Sequence, residues 1–239
     1  MTKPGVSSRP EQDNDDNHED NNNNDDNDEL GPLLSAEELR AERDRRNALR
    51  SVPFGILLGV VGVIGFVASF VLTIERIELA DNPGYIPSCN FNPVLTCGPI
   101  MGSDQAAFFG FPNPIIGVAT FPLLILVGGL LISRITLPRW VRSGLWLGTL
   151  GGFVFVHYLI VQSLTNLGAM CPYCIVVWVV TAPAFVYTTA YALQERALPA
   201  PAGLRRFVVH NRLLLLVLWY LALVVAAYFT FQSFWLTMF

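Results

Sequence analysis

The chain has 239 residues, of which 52% are hydrophobic and only 14% charged, and its mean hydropathy is +0.45. No single water-soluble core needs that much apolar sequence, which excludes an ordinary soluble domain. The formal charge of −4 belongs to one end: residues 1–50 hold 14 of the 19 acidic and 7 of the 15 basic groups, leaving +3 on residues 51–239.

Between Glu11 and Glu29 the chain reads "EQDNDDNHEDNNNNDDNDE". Such a segment has like charges and nothing to bury, so ordering it costs chain entropy without return. Residues 1–34 are therefore predicted to be a disordered acidic tail, and without an apolar stretch they do not read as a signal peptide. "SAEELRAERDRRNALR" follows, opening with Ser35 and Glu38 in capping-box spacing. A short basic juxtamembrane helix is expected over 35–51.

A helix rises about 1.5 Å per residue and the hydrocarbon core is about 30 Å thick, so roughly 20 apolar residues span it. Five stretches qualify: Val52–Ile74, Pro114–Ser133, Gly144–Leu167, Pro172–Leu193 and Leu213–Leu236. The fold class is an all-α integral membrane protein. None of the five contains Asp, Glu, Lys or Arg, which argues against an ion pump or channel. Gly55, Gly59, Gly62 and Gly65 form one stripe on the first span, as tight helix packing requires. His157 and Gln162 in the third span are expected to hydrogen-bond within the bundle. Asn166 lies near the outer end of that span, where a polar ligand group is more at home.

The arginines set an orientation. Arg40, Arg43, Arg45, Arg46 and Arg50 precede the first span; Arg134, Arg139 and Arg142 lie between the second and third. Arg196, Arg205, Arg206 and Arg212 lie in the linker 195–212, before the last segment, 213–239. The opposite side receives Glu75, Glu78, Asp81 and Asp104, with Arg76 alone. The positive-inside rule puts the N-terminus in the cytoplasm of a multi-pass cell-membrane protein.

All four cysteines then fall on the outer face, where disulfides persist: Cys89 and Cys97 in the loop 75–113, Cys171 and Cys174 before the fourth span. In "CPYC" Pro172 suits the first helical turn, placing Cys171 at the cap and Cys174 in that turn. Residues three apart share a helix face, and the positive helix N-terminus favours thiolate over thiol. The loop reads "IPSCNFNPVLTCGPIMGSDQAAFFGFPNP". Its "SDQAAFFGF" is predicted to form one or two turns capped by Ser103, with the phenylalanines turned inward across the bundle mouth. Three arrangements suit the cysteines. A zinc site has enough thiolates but lacks a short knuckle in one half. Two structural disulfides would include one closing a tiny loop, which stabilises little. A relay, with a mobile loop pair passing electrons to a fixed membrane pair, accounts for both locations.

"CNFNPVLTCG", then "FGFPNPIIG", then "CPYC" opening a later span resembles the bacterial branch of the vitamin K epoxide reductase family, over roughly Gly55 to Leu193. The bacterial disulfide-bond oxidases of another four-span family carry C-x-x-C in the first outer loop, the reverse order. The resemblance implies a four-helix transmembrane bundle over 52–194 around a quinone of menaquinone or ubiquinone type, with a fifth transmembrane helix outside. Cys171 and Cys174 match the active-site pair, Cys174 the cysteine that reduces quinone, and Cys89 and Cys97 the loop shuttle pair. Ser103 matches a serine near the quinone and Asn113 an asparagine that bonds its carbonyl. Trp178 stands where animal members often have Tyr. With Phe109, these are the expected cofactor contacts, and no metal is expected. The implied function is a quinone-dependent membrane thiol oxidoreductase generating disulfides. The alternatives are a quinone or quinone-epoxide reductase that recycles the quinone, and a structural protein with two static disulfides. Many bacterial relatives carry a fused thioredoxin-like domain; here an extracytoplasmic thioredoxin-fold (DsbA-like) thiol protein is expected to act in trans.

Overall fold

The computed structural model describes residues 36–82, 84–92, 94–195 and 197–232. The chain divides into two units, 1–44 and 45–239. The first contributes only the opening turns of helix α1 (Ala36–Asp81) to the described residues. The acidic tail predicted over 1–34 lies outside them, as does the Ser35 cap. Everything below concerns the second unit.

That unit is helical, and five helices are long and apolar enough to cross a membrane. They are α1 from Ser51 onward, α3 (Pro114–Ile132), α4 (Arg139–Gln162) continued by a π-turn (Ser163–Leu167), α5 (Pro172–Gln194) and α7 (Arg212–Thr230). Between α1 and α3 lie the short α2 (Gly98–Met101) and a 3₁₀ turn (Asp104–Ala107); α6 (Ala202–His210) precedes α7. The linker predicted at 195–212 thus holds a helix. Its residues "AGLRRFVVH" combine exposed Leu204 and Phe207 with Arg205 and Arg206, an interfacial rather than a spanning composition.

α1 ends at Asp81, seven residues beyond the predicted end of the first span. Hydrocarbon thickness limits apolar length, not helix length, so Glu75, Arg76 and Glu78 continue the helix past the apolar stretch. The outer loop is shortened accordingly. α4 begins at Arg139, five residues earlier than its apolar stretch, for the same reason.

Four helices make the bundle. Val61 of α1, Phe121 of α3 and Val180 and Ala184 of α5 share one buried cluster. Phe54, Leu58, Leu131 and Leu137 form another, against Tyr187 and Tyr191. α4 joins through Val156 and Ile160, which pack with Trp178 of α5. α7 lies against α4 and α5, where Trp219 and Leu223 cover that last cluster. His157 does bond within the bundle: its Nδ1 donates to Phe153 O (2.8 Å), so its Nε2 accepts from Trp219 Nε1 (2.9 Å). Outward-facing side chains along these helices are largely aliphatic, for example Ile56, Val60, Val63 and Val67 on α1. A multi-pass membrane protein presents such a surface to lipid.

The glycine stripe does what its spacing suggests. A Cβ at Gly55 would lie 2.7 Å from Gly128 O and 2.9 Å from Leu131 Cβ, so α1 and α3 touch backbone to backbone there. A Cβ at Gly59 would meet nothing within 4 Å. Gly55→Ala should therefore cost about 1–3 kcal/mol, the usual cost of forcing extra carbon into a packed interior, while Gly59→Ala should be nearly neutral. Thermal unfolding of the two variants in detergent checks the contrast; equal melting temperatures would remove the close contact from the packing.

Candidate redox site

The cysteine end of the bundle is organised by polar side chains that bind backbone. Asn90 Oδ1 accepts from Cys97 N (2.8 Å), Gly98 N (3.2 Å) and Thr96 Oγ1 (2.7 Å). Asn92 Oδ1 accepts from Val94 N (3.0 Å) and Leu95 N (2.6 Å), the local bonding that suits Asn to turns. These bonds fold "CNFNPVLTC" into a closed loop with Cys89 and Cys97 at its base, joined by a disulfide with Cα atoms 5.8 Å apart. Glu75, buried in the last turns of α1, accepts from Tyr85 Oη (3.0 Å), Ser88 N (3.2 Å) and Ser88 Oγ. This carboxylate fixes the residue before Cys89, and its hydrogen bond raises the Tyr85 phenol above its ordinary value.

Two backbone hydrogen bonds then tie the loop to the segment before α5: Met170 N to Val94 O (2.7 Å) and Thr96 N to Met170 O (3.1 Å). They form an isolated parallel bridge between Leu95 and Met170. Cys97 and Cys171 follow that bridge closely, and their sulfurs lie 2.7 Å apart, both fully buried. Reacting atoms held near 3 Å are positioned for attack. Leu72, Met101 and Tyr173 pack around the sulfurs.

Cys171 is the N-cap of α5 in extended conformation (φ −85°, ψ 125°), with Pro172 at the first helical position, as the sequence predicts. Cys171 and Cys174 are free thiols. The Cys171 thiol is pulled below its ordinary value, chiefly by a hydrogen bond from the Cys174 side chain. The backbone N–H groups of Cys174 and Tyr173 assist, against the cost of burial and the nearby Glu75 charge. The three sulfurs of Cys89, Cys97 and Cys171 lie within 4.8 Å of one another, but two of them are joined in the disulfide and are not thiolate ligands.

Beneath the cysteines a cavity of about 150 Å³ opens between α1, α3, α4 and α5. Cys171, Cys174, Ser103, Asn113 and Trp178 line it, five of the eight cysteine and cofactor-contact residues expected from the sequence, and Gln162 joins them. Trp178 is 3% exposed, and its buried Nε1 has no hydrogen-bond partner among the described residues. Asn113 is buried, and its Oδ1 accepts from Phe108 N (3.0 Å).

Other expectations fare differently. The Ser103 hydroxyl does not cap the turn after it; it donates back to Ile100 O (2.7 Å). The phenylalanines of "FFGF" do not turn inward. Phe108, Phe109 and Phe111 are all exposed, because the turn ends in Gly110 with φ +82° and lays Phe108 against Phe155 and Tyr158 of α4. Phe109 packs edge-on against Phe108 and is not on the cavity wall. Asn166 is exposed and donates to Gln162 Oε1. Sequence reading treated Glu75 only as a topological charge and passed over Asn90, Asn92 and Met170.

An all-helical membrane bundle that holds a disulfide against a further thiol pair at one mouth defines a membrane redox protein. Residues 56–189 match the family model described as "Vitamin K epoxide reductase family", and the chain belongs to that family. It is an oxidoreductase. No curated protein matches the chain.

The hydrogen bond that lowers the Cys171 thiol gives a pH signature. A lowered pKa keeps the thiolate present at lower pH. In Cys89→Ser/Cys97→Ser protein under reducing conditions, alkylation of Cys171 should reach half its maximal rate below the ordinary thiol value of about 8.5. Adding Cys174→Ala should move that midpoint upward, since the largest cause is removed. A midpoint at or above the ordinary value before that change would contradict the assignment.

Proposed function

We propose that the protein is a quinone-dependent thiol oxidoreductase that generates disulfides in an extracytoplasmic thioredoxin-fold partner. The observation that carries this reading is the 2.7 Å contact of Cys97 Sγ with Cys171 Sγ, with Cys174 on the cavity wall behind it. The arginine bias supports an extracytoplasmic mouth and a cytoplasmic N-terminus.

A partner thiolate attacks Cys89, the Cys89–Cys97 bond breaks, and Cys97 leaves as thiolate. The partner's second thiol resolves the mixed disulfide, so the partner departs oxidised and the loop pair keeps two electrons. Cys97 then attacks Cys171 of an oxidised Cys171–Cys174 pair, and Cys174 leaves. Cys89 closes on Cys97 and releases Cys171. The outcome is an intact loop bridge above two free thiols, the arrangement in the structure. Donors around Cys171 favour its departure, because a leaving thiolate of low pKa leaves faster.

The cavity residues fit a quinone. A space near 150 Å³ admits one six-membered ring, the walls are mainly apolar, and the unpaired Trp178 N–H offers a donor for a carbonyl oxygen. A quinone bound there supplies the acceptor for the two electrons and two protons of Cys171 and Cys174. Trp178 and Asn113 would hold its oxygens, and Cys174 would face its ring. Menaquinone and ubiquinone types are separated by measuring quinone-dependent thiol oxidation by the purified protein with each supplied in turn; failure with every quinone would overturn the reading.

Two predictions follow the chemistry. In Cys174→Ser the Cys171–Cys174 bridge cannot form, so a Cys97–Cys171 crosslink should accumulate, visible by non-reducing peptide mass spectrometry. A Cys89–Cys171 crosslink would exchange the loop roles, and an intact Cys89–Cys97 bridge in the presence of reduced partner would favour static disulfides. Trp178→Phe and Asn113→Ala should each raise the quinone KM about tenfold or more, matching the roughly 1–3 kcal/mol of a lost buried hydrogen bond. Oxidation of the cysteine pairs by a chemical oxidant should be unaffected. Unchanged quinone kinetics in both would take these residues out of the site.

A further inference from the structure

A second cavity, about 560 Å³, lies at the end of the bundle away from the cysteines. Its α1 wall is Pro53, Phe54 and Leu57, roughly 25 Å along the helix from Leu72 under the disulfide. The remaining walls come from the end of α5 (Tyr187, Tyr191, Gln194), one face of α6 (Arg206, Val209, His210) and the start of α7 (Arg212, Leu213). None of the redox chemistry uses it.

Its composition is asymmetric. Arg206, His210 and Arg212 converge on it, and among the described residues no carboxylate lines it. The nearest acid in sequence, Glu195, is already paired with Arg142 at 2.9 Å. Arg212 is held in place by the Tyr187 ring, 5.3 Å from its centroid. On α6 the residues Arg206, Val209 and His210 recur at the i, i+3, i+4 spacing of one helix face, and all three line the cavity. Leu204 and Phe207 stay off its wall and are half-exposed. A short helix with apolar residues outward and basic ones toward a cavity suits the plane of the membrane interface. The α1 wall is apolar, and Leu213 of α7 adds to it. Cations at headgroup depth above an apolar wall match a molecule with a phosphate at one end and hydrocarbon at the other.

We propose that this cavity binds an anionic phospholipid, its phosphate held by Arg206, His210 and Arg212 and its acyl chains lying along Phe54, Leu57 and Leu213. Clustered basic residues between transmembrane helices favour anionic over zwitterionic headgroups. The site is independent of the quinone reading, since it shares no residue with the cysteine cavity.

The test uses the full chain purified in a non-ionic detergent. Phosphatidylglycerol and phosphatidylcholine with identical acyl chains are titrated separately, with bound lipid counted by native mass spectrometry and melting temperature followed in parallel. Phosphatidylglycerol should bind about tenfold or more tightly than phosphatidylcholine, as expected for several basic groups acting together. It should also raise the melting temperature further. Arg206→Gln/His210→Gln/Arg212→Gln should abolish that preference while leaving phosphatidylcholine binding unchanged. Arg206 is exposed and its single change does not threaten folding, so Arg206→Gln alone should lower the preference part of the way. Equal binding of the two lipids, or a preference that survives in both variants, would overturn the proposal. So would inorganic phosphate alone producing the whole thermal shift, because the site would then serve a free anion.

Discussion

The backbone bridge between Leu95 and Met170 is the constraint on which the site depends. Cys97 and Cys171 are 74 residues apart in sequence, and a loop tip has no intrinsic reason to rest on a particular helix cap. Closing so long a loop costs entropy, but most of that cost is already met by the bundle, which packs Val61 of α1 against Val180 of α5. What remains is local register. The two hydrogen bonds to Met170 supply it, and Asn90 holds the Cys97 end of the loop rigid enough for the register to reach the sulfur. The sulfur contact is thus a consequence of amide pairing rather than of any attraction between cysteines.

Burial makes that arrangement selective. Cys89 is 1% exposed and Cys97 and Cys171 are fully buried, so a thiol in bulk solvent has no direct line to them. Under the proposed reaction the loop must shift for a partner to reach Cys89. The bonds that resist the shift include those of Glu75 to Tyr85 and Ser88, beside the two to Met170. Glu75 also works against thiolate at Cys171 through its charge, while the Cys174 hydrogen bond and two backbone N–H groups work for it. The balance lowers the Cys171 thiol because the donors touch the sulfur directly, whereas burial and the Glu75 charge oppose them less strongly.

How much of this the sequence disclosed follows from the range of each interaction. The spans were legible because bilayer thickness acts on composition alone, and the helix cap at Cys171 because Pro172 and the C-x-x-C spacing are local. The helical ends were not, since α1 to Asp81 and α4 from Arg139 extend where apolar length no longer constrains them. Glu75 was hidden because, beside Glu78 and Asp81 at the end of α1, it looks like any other flanking charge; only the folded loop brings Tyr85 and Ser88 to it. The inward reading of Phe108, Phe109 and Phe111 failed because side-chain direction in a tight turn is set by Gly110, and α4 offered the half-buried rings of Phe155 and Tyr158 to pack against. Ser103, Asn113 and Trp178, which the resemblance singled out, all lie on the cavity wall, whereas the cap read from the local sequence failed because the Ser103 hydroxyl turns back to Ile100 O.

The fifth helix bears on the same chemistry from behind. The family match ends at residue 189, before α7, yet Trp219 and Leu223 of α7 pack on the cluster that contains Trp178. Trp178 therefore stands between two surfaces, the cavity and α7, and its ring cannot swing away without uncovering apolar area on both. His157 fixes α7 at this level. Its Nδ1–H is committed to Phe153 O, and its Nε2 accepts from Trp219 Nε1. A charged imidazolium would have no acceptor to offer and would lose that bond. The tie is consequently one that an imidazole accepting at Nε2 provides. α7 in this way braces the α4–α5 wall, and the buried indole N–H of Trp178 is kept at the cavity by packing rather than by a hydrogen bond of its own.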